Sequence, residues 1–502
     1  MITAEPVPAD TQVQTGPQRR YTLAFWITLA VTVGSAAATL APLVDEAVGA
    51  LCLVTMLGLL CMRAPVWISL LVPALIGLGA ARGWRLIEGS LSTAPYNAVA
   101  QWSFSVLPAF IFMGMLIASS GLASDIFMVM RRCLGWLPGG LAIGANAAGA
   151  GLATVSGSTM GVVYTLARVS IPEMLRAGYN KRLATAAVML GGLTGNLIPP
   201  SILLVIYAGL AETPVGPQLL AGLAPGVLLA LLVSAALVTL AMARPKLVRG
   251  DEVAMLPGAR GDHTAKAKVA AREGEGTARM VLRIWPIPLI LVTTVGGLYT
   301  GTFTATEVGA ASALVCLIAT WVWRRGEQPW AAVQHAAVGT VSAVGIIFIM
   351  LIAVDVFSTM LTVTGVGRVL VESLTDLGLG RLAFLLILVP FYLLLGMFMD
   401  TLAMMVVTVP LLLPVLQNYE VSPLWFGVFV VFMGEIAMIT PPVGVLTYVL
   451  HGVMQDPEVN LGTEVTLRDV FVSVAWVIPG VLAFCLILIF FPGIVEIAVG
   501  GS

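Results

Sequence analysis

The sequence predicts an all-α, multi-pass membrane protein built from two related halves of inverted topology. Of its 502 residues, 59% are hydrophobic and 10% are charged, whereas soluble domains have about 45–50% apolar and about 25% charged residues. Apolar runs of roughly 20 residues, enough to cross a bilayer core of about 30 Å, recur along the chain. Paired landmarks at one fixed spacing then divide most of the chain into two related halves.

The apolar runs and the stretches between them define seven segments. An N-terminal tail precedes an additional membrane helix at 21–42, which is too long for a signal-peptide core, although Ala36-Ala37-Ala38 leaves a cleavage site as the alternative. The segments are 1–20 (tail), 21–42 (additional helix), 48–138 (helices), 139–243 (first repeat), 244–283 (polar loop), 284–381 (central helices) and 382–499 (second repeat).

The positions of Lys and Arg predict which loops face the cytoplasm. The 244–283 loop carries nine of them, and basic loops stay inside. The pair Arg324-Arg325 agrees with this assignment, and Arg19-Arg20 places the N-terminus inside as well. The 453–469 loop should also be cytoplasmic although most of its charges are acidic, because acidic residues weigh little in this rule.

The prolines reveal the internal repeat. The two Pro-Pro pairs, Pro199-Pro200 and Pro441-Pro442, lie 242 residues apart. Further pairs share this offset: Pro172 with Pro414, Gly192 with Gly434, Thr159 with Thr401, and Ser158 with Asp400. Because the sequence identity between the two halves is low, the internal repeat is assigned from these paired landmarks.

The connectors of the two halves differ in charge. The connector after Pro172 contains Arg176, Lys181 and Arg182, whereas its counterpart, 417–420, contains no Lys or Arg. The first is therefore expected inside and the second outside. Equivalent connectors on opposite faces define an inverted repeat.

Two polar interruptions mark candidate sites. The first, Ser156-Gly157-Ser158-Thr159, follows a Gly-rich run, and irregular backbone at membrane depth is tolerated only against protein or a water-filled cavity. Its hydroxyls and carbonyls suit a desolvated alkali cation, although tight packing of small residues between helices is the alternative. The second, from Gly396 to Asp400-Thr401, places a carboxylate within an apolar run, where it is expected to act as a cation ligand or proton carrier unless it lies at a span end in water.

Two proline breaks follow, one after each interruption. Proline removes a backbone hydrogen-bond donor and disrupts the preceding helical turn. The freed carbonyls can then bind a cation, and the half-helix ends can bind an anionic group, unless the breaks are simple kinks. Glu435 lies about one turn before the second break and could face the site. The residues at the breaks are Gly195, Asn196, Pro199, Pro200, Ser201, Thr440, Pro441 and Pro442.

Enzyme chemistry is not expected from this sequence. A serine hydrolase built on Ser156-Gly157-Ser158 would need a histidine base, and the three histidines lie in the polar loop or at span ends. Five scattered cysteines without a close pair argue against a disulfide framework or a metal site. No nucleic-acid partner, resident cofactor or catalytic residue is predicted.

Across about 48–495, the sequence resembles the large membrane subunit of tripartite ATP-independent periplasmic (TRAP) transporters. The resemblance rests on ordered matches: Ser156-Gly157-Ser158, Ile171-Pro172-Glu173-Met174, Leu197 to Ser201 with Tyr207, Ala221-Gly222 with Pro225-Gly226, Gly297 to Glu307, Gly396 to Asp400, and Thr440 to Gly444. Some relatives carry an acid shortly after the Ser-Gly-Ser turn, whereas this chain has Val162 in that neighbourhood. The 21–42 helix and the 244–283 loop look additional.

The resemblance implies an elevator-type secondary transporter. Segments 48–138 and 284–381 would form a scaffold, and the two repeats would form a transport domain with two re-entrant helical hairpins and two broken helices. By residue match, Ser156, Gly157, Ser158, Asp400 and Thr440 would line sodium sites. Such proteins reside in the bacterial inner membrane, take carboxylate solutes from a periplasmic binding protein, use Na⁺ as coupling ion, and pair with a small membrane subunit. A stand-alone divalent-anion/sodium symporter of similar fold is the alternative.

Overall fold

The computed structural model describes residues 23–120, 122–248, 282, 284–323, 328–376, 378–397, 399–441, 444–497 and 499. Within these ranges the regular structure is helical and contains no β-strand. The predicted tail 1–20, most of the 244–283 loop and Pro442 lie outside the described residues. The all-α prediction is therefore confirmed for the part of the chain that carries both repeats.

The helices of the first half run from the N-terminus to the polar loop. Short 3₁₀ turns lie at Trp102–Phe104, Gly195–Leu197 and Pro245–Leu247. The α-helices are α1 Leu23–Ala38, α2 Asp45–Cys61, α3 Val66–Arg82, α4 Trp84–Ala100, α5 Leu107–Ser120, α6 Leu122–Leu134, α7 Gly140–Ser156, α8 Thr159–Arg176, α9 Lys181–Thr194, α10 Ile202–Leu210 and α11 Val215–Ala243.

The helices of the second half follow the polar loop. They are α12 Pro286–Tyr299, α13 Ala305–Trp323, α14 Pro329–Thr364, α15 Val366–Asp376, α16 Arg381–Gly396, α17 Thr401–Asn418, α18 Pro423–Ile439, α19 Val445–Val453, α20 Pro457–Asn460, α21 Leu467–Phe490 and α22 Gly493–Glu496.

Several of these helices are long and apolar enough to cross a membrane. Among the described residues there are six such helices, or up to seven if a bent pair counts as one span. That pair, Lys181–Leu197 with Ile202–Leu210, bends by 45° at its break. The chain is therefore a multi-pass membrane protein. The six are Trp102–Ser120, Val215–Ala243, Ala305–Trp323, Pro329–Thr364, Thr401–Asn418 and Leu467–Phe490.

The helix bounds reproduce the repeat seen in the prolines. Helices α8 and α17 are each 18 residues long, and both ends of α17 lie 242 residues after those of α8. Helix α18 likewise begins 242 residues after α9. Helices α9 and α18 are each followed by a break and then by a helix of nine residues, α10 in the first half and α19 in the second.

The two halves have opposite directions relative to α21. At the beginning of this helix, Asp469 pairs with Lys181 and Arg182, the first residues of α9. Near its end, the carbonyl of Leu488 accepts a hydrogen bond from the indole of Trp425, in the first turn of α18. Asp469 and Leu488 lie roughly 28 Å apart along a helix that rises about 1.5 Å per residue. Equivalent helix starts thus lie at opposite ends of one helix, as an inverted repeat requires.

Three segments predicted to share the cytoplasmic side contact one another. The amide of Asn180 donates to the carbonyl of Leu247 at 2.9 Å, at the start of the polar loop. In the 453–469 loop, Asp456 pairs with Arg168 at 2.9 Å, and the backbone carbonyl of Glu464 accepts from Lys181. The acidic character of this loop now has a reason, because its carboxylates balance the basic residues of the first repeat.

Helix α1 packs on α2. The hydroxyls of Ser35 and Thr55 lie 2.8 Å apart in a buried contact between the two helices. Gly58 of α2 lies against Thr32, so that a larger residue there would overlap the threonine side chain. Small residues allow the two backbones to approach closely, the usual means of helix association in membranes.

Candidate functional site

The first polar interruption separates α7 from α8. Gly157 has a φ of 62°, a left-handed conformation that glycine adopts without strain, and a Cβ there would also collide with Ile202 of α10. Ser158 is the N-cap of α8, and its hydroxyl accepts a hydrogen bond from the amide of Gly161 at 3.3 Å. Ser158 is exposed and Ser156 is half-buried, so both hydroxyls lie at an accessible break between two helices.

The second interruption repeats this arrangement between α16 and α17. Helix α16 ends at the buried Gly396, and Asp400 is the N-cap of α17. The Asp400 carboxylate accepts from the amide of Ala403 at 2.8 Å. Asp400 is exposed on the surface of the chain. A carboxylate thus occupies the position at which the first half has the hydroxyl of Ser158.

The proline breaks lie within the paths of α9–α10 and α18–α19. In the first half, Pro199 and Pro200 are buried and joined by a cis peptide bond, and Ser201 caps α10 by accepting from the amide of Leu204. Gly195 and Asn196 form the preceding 3₁₀ turn. In the second half, the half-buried Thr440 and Pro441 follow α18. Pro442 lies outside the described residues.

A buried polar network joins the two halves at Glu435. This residue is 1% exposed on α18. One of its carboxylate oxygens, Oε2, accepts from the hydroxyl of Thr159 at 2.5 Å. The other, Oε1, accepts from the amide of Asn196 and from the hydroxyl of Thr401, each at 3.1 Å. Three donors from three different helices or turns therefore converge on one carboxyl group.

This carboxyl group has polar neighbours but no cationic partner. None of the Lys, Arg or His residues in the described ranges forms an ion pair with Glu435. The Asn196 side-chain oxygen, also buried, has no hydrogen-bond partner in the structure. Buried polar groups are costly unless satisfied, and an acid at membrane depth usually marks function.

The predicted site residues thus separate into two sets. Thr159, Asn196, Thr401 and Glu435 share one hydrogen-bond network. Ser156, Ser158, Asp400 and Thr440 belong to the breaks themselves, and in the described residues their side chains bond to their own segments rather than to each other. The sequence indicated the offset between Thr159 and Thr401, but it did not indicate that both contact Glu435.

The donor atoms at the breaks fit an alkali cation better than a transition metal. They are hydroxyl, carboxylate and backbone carbonyl oxygens, which are hard ligands. Among the described residues, no group of three or more His, Cys, Asp or Glu side chains could hold a metal ion. Ser156, Ser158, Asp400 and Thr440 are among the side chains at the breaks that could hold such a cation.

Comparison with known proteins assigns the family. The family model for the tripartite ATP-independent periplasmic transporter, DctM component, matches residues 53–494. The chain belongs to this family. The resemblance read from the motifs is therefore confirmed.

Curated relatives of this chain are large permease proteins of TRAP transporters. This chain is 30% identical over 372 residues to the C4-dicarboxylate TRAP transporter large permease protein DctM of Pseudomonas aeruginosa, and the match covers 73% of this chain and 81% of the relative. It is 28% identical over 435 residues to the protein of the same name from Vibrio cholerae, covering 82% and 90%. These relatives are permeases, which confirms the prediction that this chain is not an enzyme.

The fold of the TRAP permease chain also matches a solved transporter. The YdaH transporter of Alcanivorax borkumensis has a TM-score of 0.60 at 16% identity, and the match covers 85% of this chain and 97% of that one. At this identity the comparison describes the fold alone. The chain is thus a multi-pass large permease subunit of a tripartite transporter family.

Proposed function

We propose that this chain imports a carboxylate solute across the bacterial inner membrane, driven by Na⁺ and aided by a periplasmic binding protein. Its N-terminus and its 244–283 loop would face the cytoplasm. The relatives named for C4-dicarboxylates support a carboxylate as the solute class. A small membrane subunit would complete the scaffold, consistent with a family whose name describes a three-part system.

The observation that carries this proposal is the paired geometry of the two accessible breaks. Ser158 and Asp400 cap equivalent helices, and each break is followed along the chain by an interrupted helix, α9–α10 in the first half and α18–α19 in the second. In this proposal, the α7–α8 and α16–α17 pairs are re-entrant hairpins whose tips enter from opposite faces. Interrupted helices of opposite direction are the usual construction of substrate and ion sites in secondary transporters.

The charges at these breaks suit a cation and an anion together. The N-termini of α8, α10, α17 and α19 carry partial positive charge and favour an anionic group such as a carboxylate. Hydroxyls and freed carbonyls at the same breaks favour Na⁺. Coupling follows if Na⁺ neutralises Asp400 and orders the hairpin tips, because the anionic solute then binds at a site with less negative charge.

Movement of the site would follow an elevator mechanism. The repeats α7–α11 and α16–α21 would travel as one body past the helices of 48–138 and 284–381, carrying the bound solute between the two faces. The network at Glu435 supports a single moving body, because it joins one helix pair to the other through buried hydrogen bonds.

The substitution Asp400→Asn tests the coupling role. Asparagine is as good an N-cap as aspartate, so the variant removes the charge while keeping the bond from Ala403. Sodium-dependent uptake in proteoliposomes should be lost while the purified complex remains assembled. The matched control is Asp456→Asn, a helix N-cap aspartate on the 453–469 loop, which should retain uptake. Unchanged sodium dependence in Asp400→Asn would rule out this assignment.

A stand-alone symporter of similar fold remains the second candidate, and reconstitution separates the two. Liposomes that contain this chain and the small subunit should show no uptake until the binding protein is added with its solute. Uptake of free solute without the binding protein would favour the stand-alone symporter.

A further inference from the structure

We propose that Glu435 is a positioning residue that fastens the two capped breaks to each other, so that both halves of the cation site form together. This inference rests on the proposed function for its consequence in transport, but its structural part can be tested without sodium. Glu435 itself belongs to neither break: it lies on α18, between them. Its carboxyl group acts through Thr159 and Thr401.

The two threonines stand in the same relation to the two breaks. Thr159 directly follows the cap Ser158, and Thr401 directly follows the cap Asp400. Each is the first residue of its helix, and each is at most 5% exposed. They donate to different oxygens of the one carboxyl group. The distance between the two caps is therefore set through a single side chain.

The hydrogen bonds of the network can be satisfied around an ionised carboxylate. The single hydroxyl protons of Thr159 and Thr401 both point to Glu435. The amide nitrogen of Asn196 has two protons, one for Glu435 and one for the oxygen of Thr159. Each donor has an acceptor, and both carboxylate oxygens are used. These shared hydrogen bonds restrict the relative positions of the three donors, although the Asn196 side-chain oxygen has no partner.

The acid of this network is present in one repeat and has no acidic counterpart at the equivalent position of the other. By the 242-residue offset, the counterpart of Glu435 is Leu193 and the counterpart of Asn196 is Met438, both apolar and buried. A carboxylate in both halves would place two like charges in one buried region, which is costly. One central acid that bonds to both threonines avoids this repulsion and still contacts both repeats.

Glycines on α9 and α18 allow Thr159 and Thr401 to pack closely against these two helices. Gly192 lies against Thr159 and Val163, and Gly434 lies against Thr401. These glycines are equivalent in the repeat, so both halves pack α8 on α9 and α17 on α18 without an intervening side chain. The first turns of α8 and α17 therefore have little freedom to move when the carboxyl group holds them.

The functional consequence concerns the affinity for sodium. If Glu435 is removed, the energy of bringing the two caps together must come from the cation itself, and apparent affinity falls. The half-saturating Na⁺ concentration should rise at least about tenfold, because three hydrogen bonds to a charged group are lost and the loss of one already corresponds to about that factor. The maximal rate should change less, since the atoms that contact the cation remain in place.

The structural test is a mutant cycle read by thermal unfolding of the purified chain in detergent. Thr159→Val and Thr401→Val each remove one hydroxyl and keep the shape of the side chain. Because both hydrogen bonds end on one carboxyl group, the midpoint shift of the double variant should differ from the sum of the two single shifts. In a Glu435→Leu background, which copies the residue at the equivalent position, this difference should vanish. Additive shifts with Glu435 present would overturn the proposal.

A second measurement connects the network to sodium. Na⁺-induced stabilisation should weaken in Glu435→Leu and be partly restored in Glu435→Gln, which keeps one acceptor oxygen. Thr159→Ser, which keeps the hydroxyl, should respond to Na⁺ like the unmodified chain. An unchanged half-saturating Na⁺ concentration in Glu435→Leu would contradict the positioning role.

The two proposals fail in different ways. If the unmodified chain shows no response to Na⁺, the proposed coupling is wrong, and the mutant cycle still decides whether Glu435 fastens the breaks. If the chain responds to Na⁺ but the cycle is additive, the coupling stands and the positioning role is wrong.

Discussion

Ser158 and Asp400 cap two equivalent helices with the same hydrogen bond. The hydroxyl of Ser158 accepts from the amide three residues later, and the carboxylate of Asp400 does the same. The two residues lie 242 positions apart, the offset of the repeat. Asp400 therefore combines two properties, a capping bond that its counterpart shares and a negative charge that its counterpart lacks.

The capping bond and the charge of Asp400 can be separated by two substitutions. Asp400→Ala removes the cap and should lower the free energy of unfolding by about 1 kcal/mol, whereas Asp400→Asn should change it little. Ser158→Ala should show a loss similar to that of Asp400→Ala, because it removes the equivalent bond. Thermal unfolding of the purified chain measures all three. Equal destabilisation by Asn and Ala at position 400 would contradict the capping role.

The inverted repeat predicts opposite membrane faces for two exposed positions. Gln417 lies at the end of α17, and Glu464 lies in the loop that contacts the start of α9. In a background in which the exposed Cys61 and Cys133 are replaced by serine, Gln417→Cys should react with a membrane-impermeant maleimide from the periplasmic side. Glu464→Cys should react only after the membrane is opened. Labelling of both positions from the same side would rule out the inverted arrangement.

The ion pairs of Asp469 are expected to contribute more than those of Asp456. The Asp469 side chain is 8% exposed and pairs with Lys181 at 2.7 Å and Arg182 at 2.8 Å. Asp456 and its partner Arg168 are more exposed, at 27% and 44%. Asp469→Asn should therefore cost about 2 kcal/mol, as for hydrogen bonds to charged groups, and Asp456→Asn less than about 1 kcal/mol.

Salt provides the control for this comparison. Exposed pairs are screened by ions more than buried pairs. High salt should therefore reduce the effect of Asp456→Asn more than that of Asp469→Asn, whose carboxylate is buried but whose partners Lys181 and Arg182 are 29% and 37% exposed. Unfolding midpoints at low and high salt measure both. An Asp469→Asn variant as stable as the unmodified chain would show that this cluster does not hold α9 against α21.

The repeat and its breaks could be predicted from the sequence because their signals are local. Proline and glycine act on their own backbone, so Pro199-Pro200 and Gly157 indicate a break wherever they occur in an apolar run. The opposite charge of equivalent connectors is likewise a property of short segments. These features required no knowledge of which helices touch.

The network at Glu435 could not be predicted, because it depends on contacts between distant segments. Thr159 and Glu435 are 276 residues apart, and no periodicity indicates that the two meet. The sequence instead favoured Ser158 and Asp400 as the centre of the candidate site, because a carboxylate at a break between two apolar helices is a clearer sign of function than a carboxylate within a helix. The position of Glu435 near the second break did indicate it as a candidate, but only the structure shows that threonines at equivalent positions of both halves bond to it.

The close packing behind this network predicts that Gly434 does not tolerate a larger residue. A Cβ at this position would overlap the methyl group of Thr401, whose hydroxyl bonds to Glu435. Gly434→Ala should therefore destabilise the chain by roughly 1–3 kcal/mol through overpacking, more than the gain of up to about 1 kcal/mol from helix propensity. Gly296→Ala on α12 meets no atom within 4 Å and should be neutral or stabilising. Thermal unfolding compares the two, and equal midpoints would mean that α17 and α18 can separate without cost.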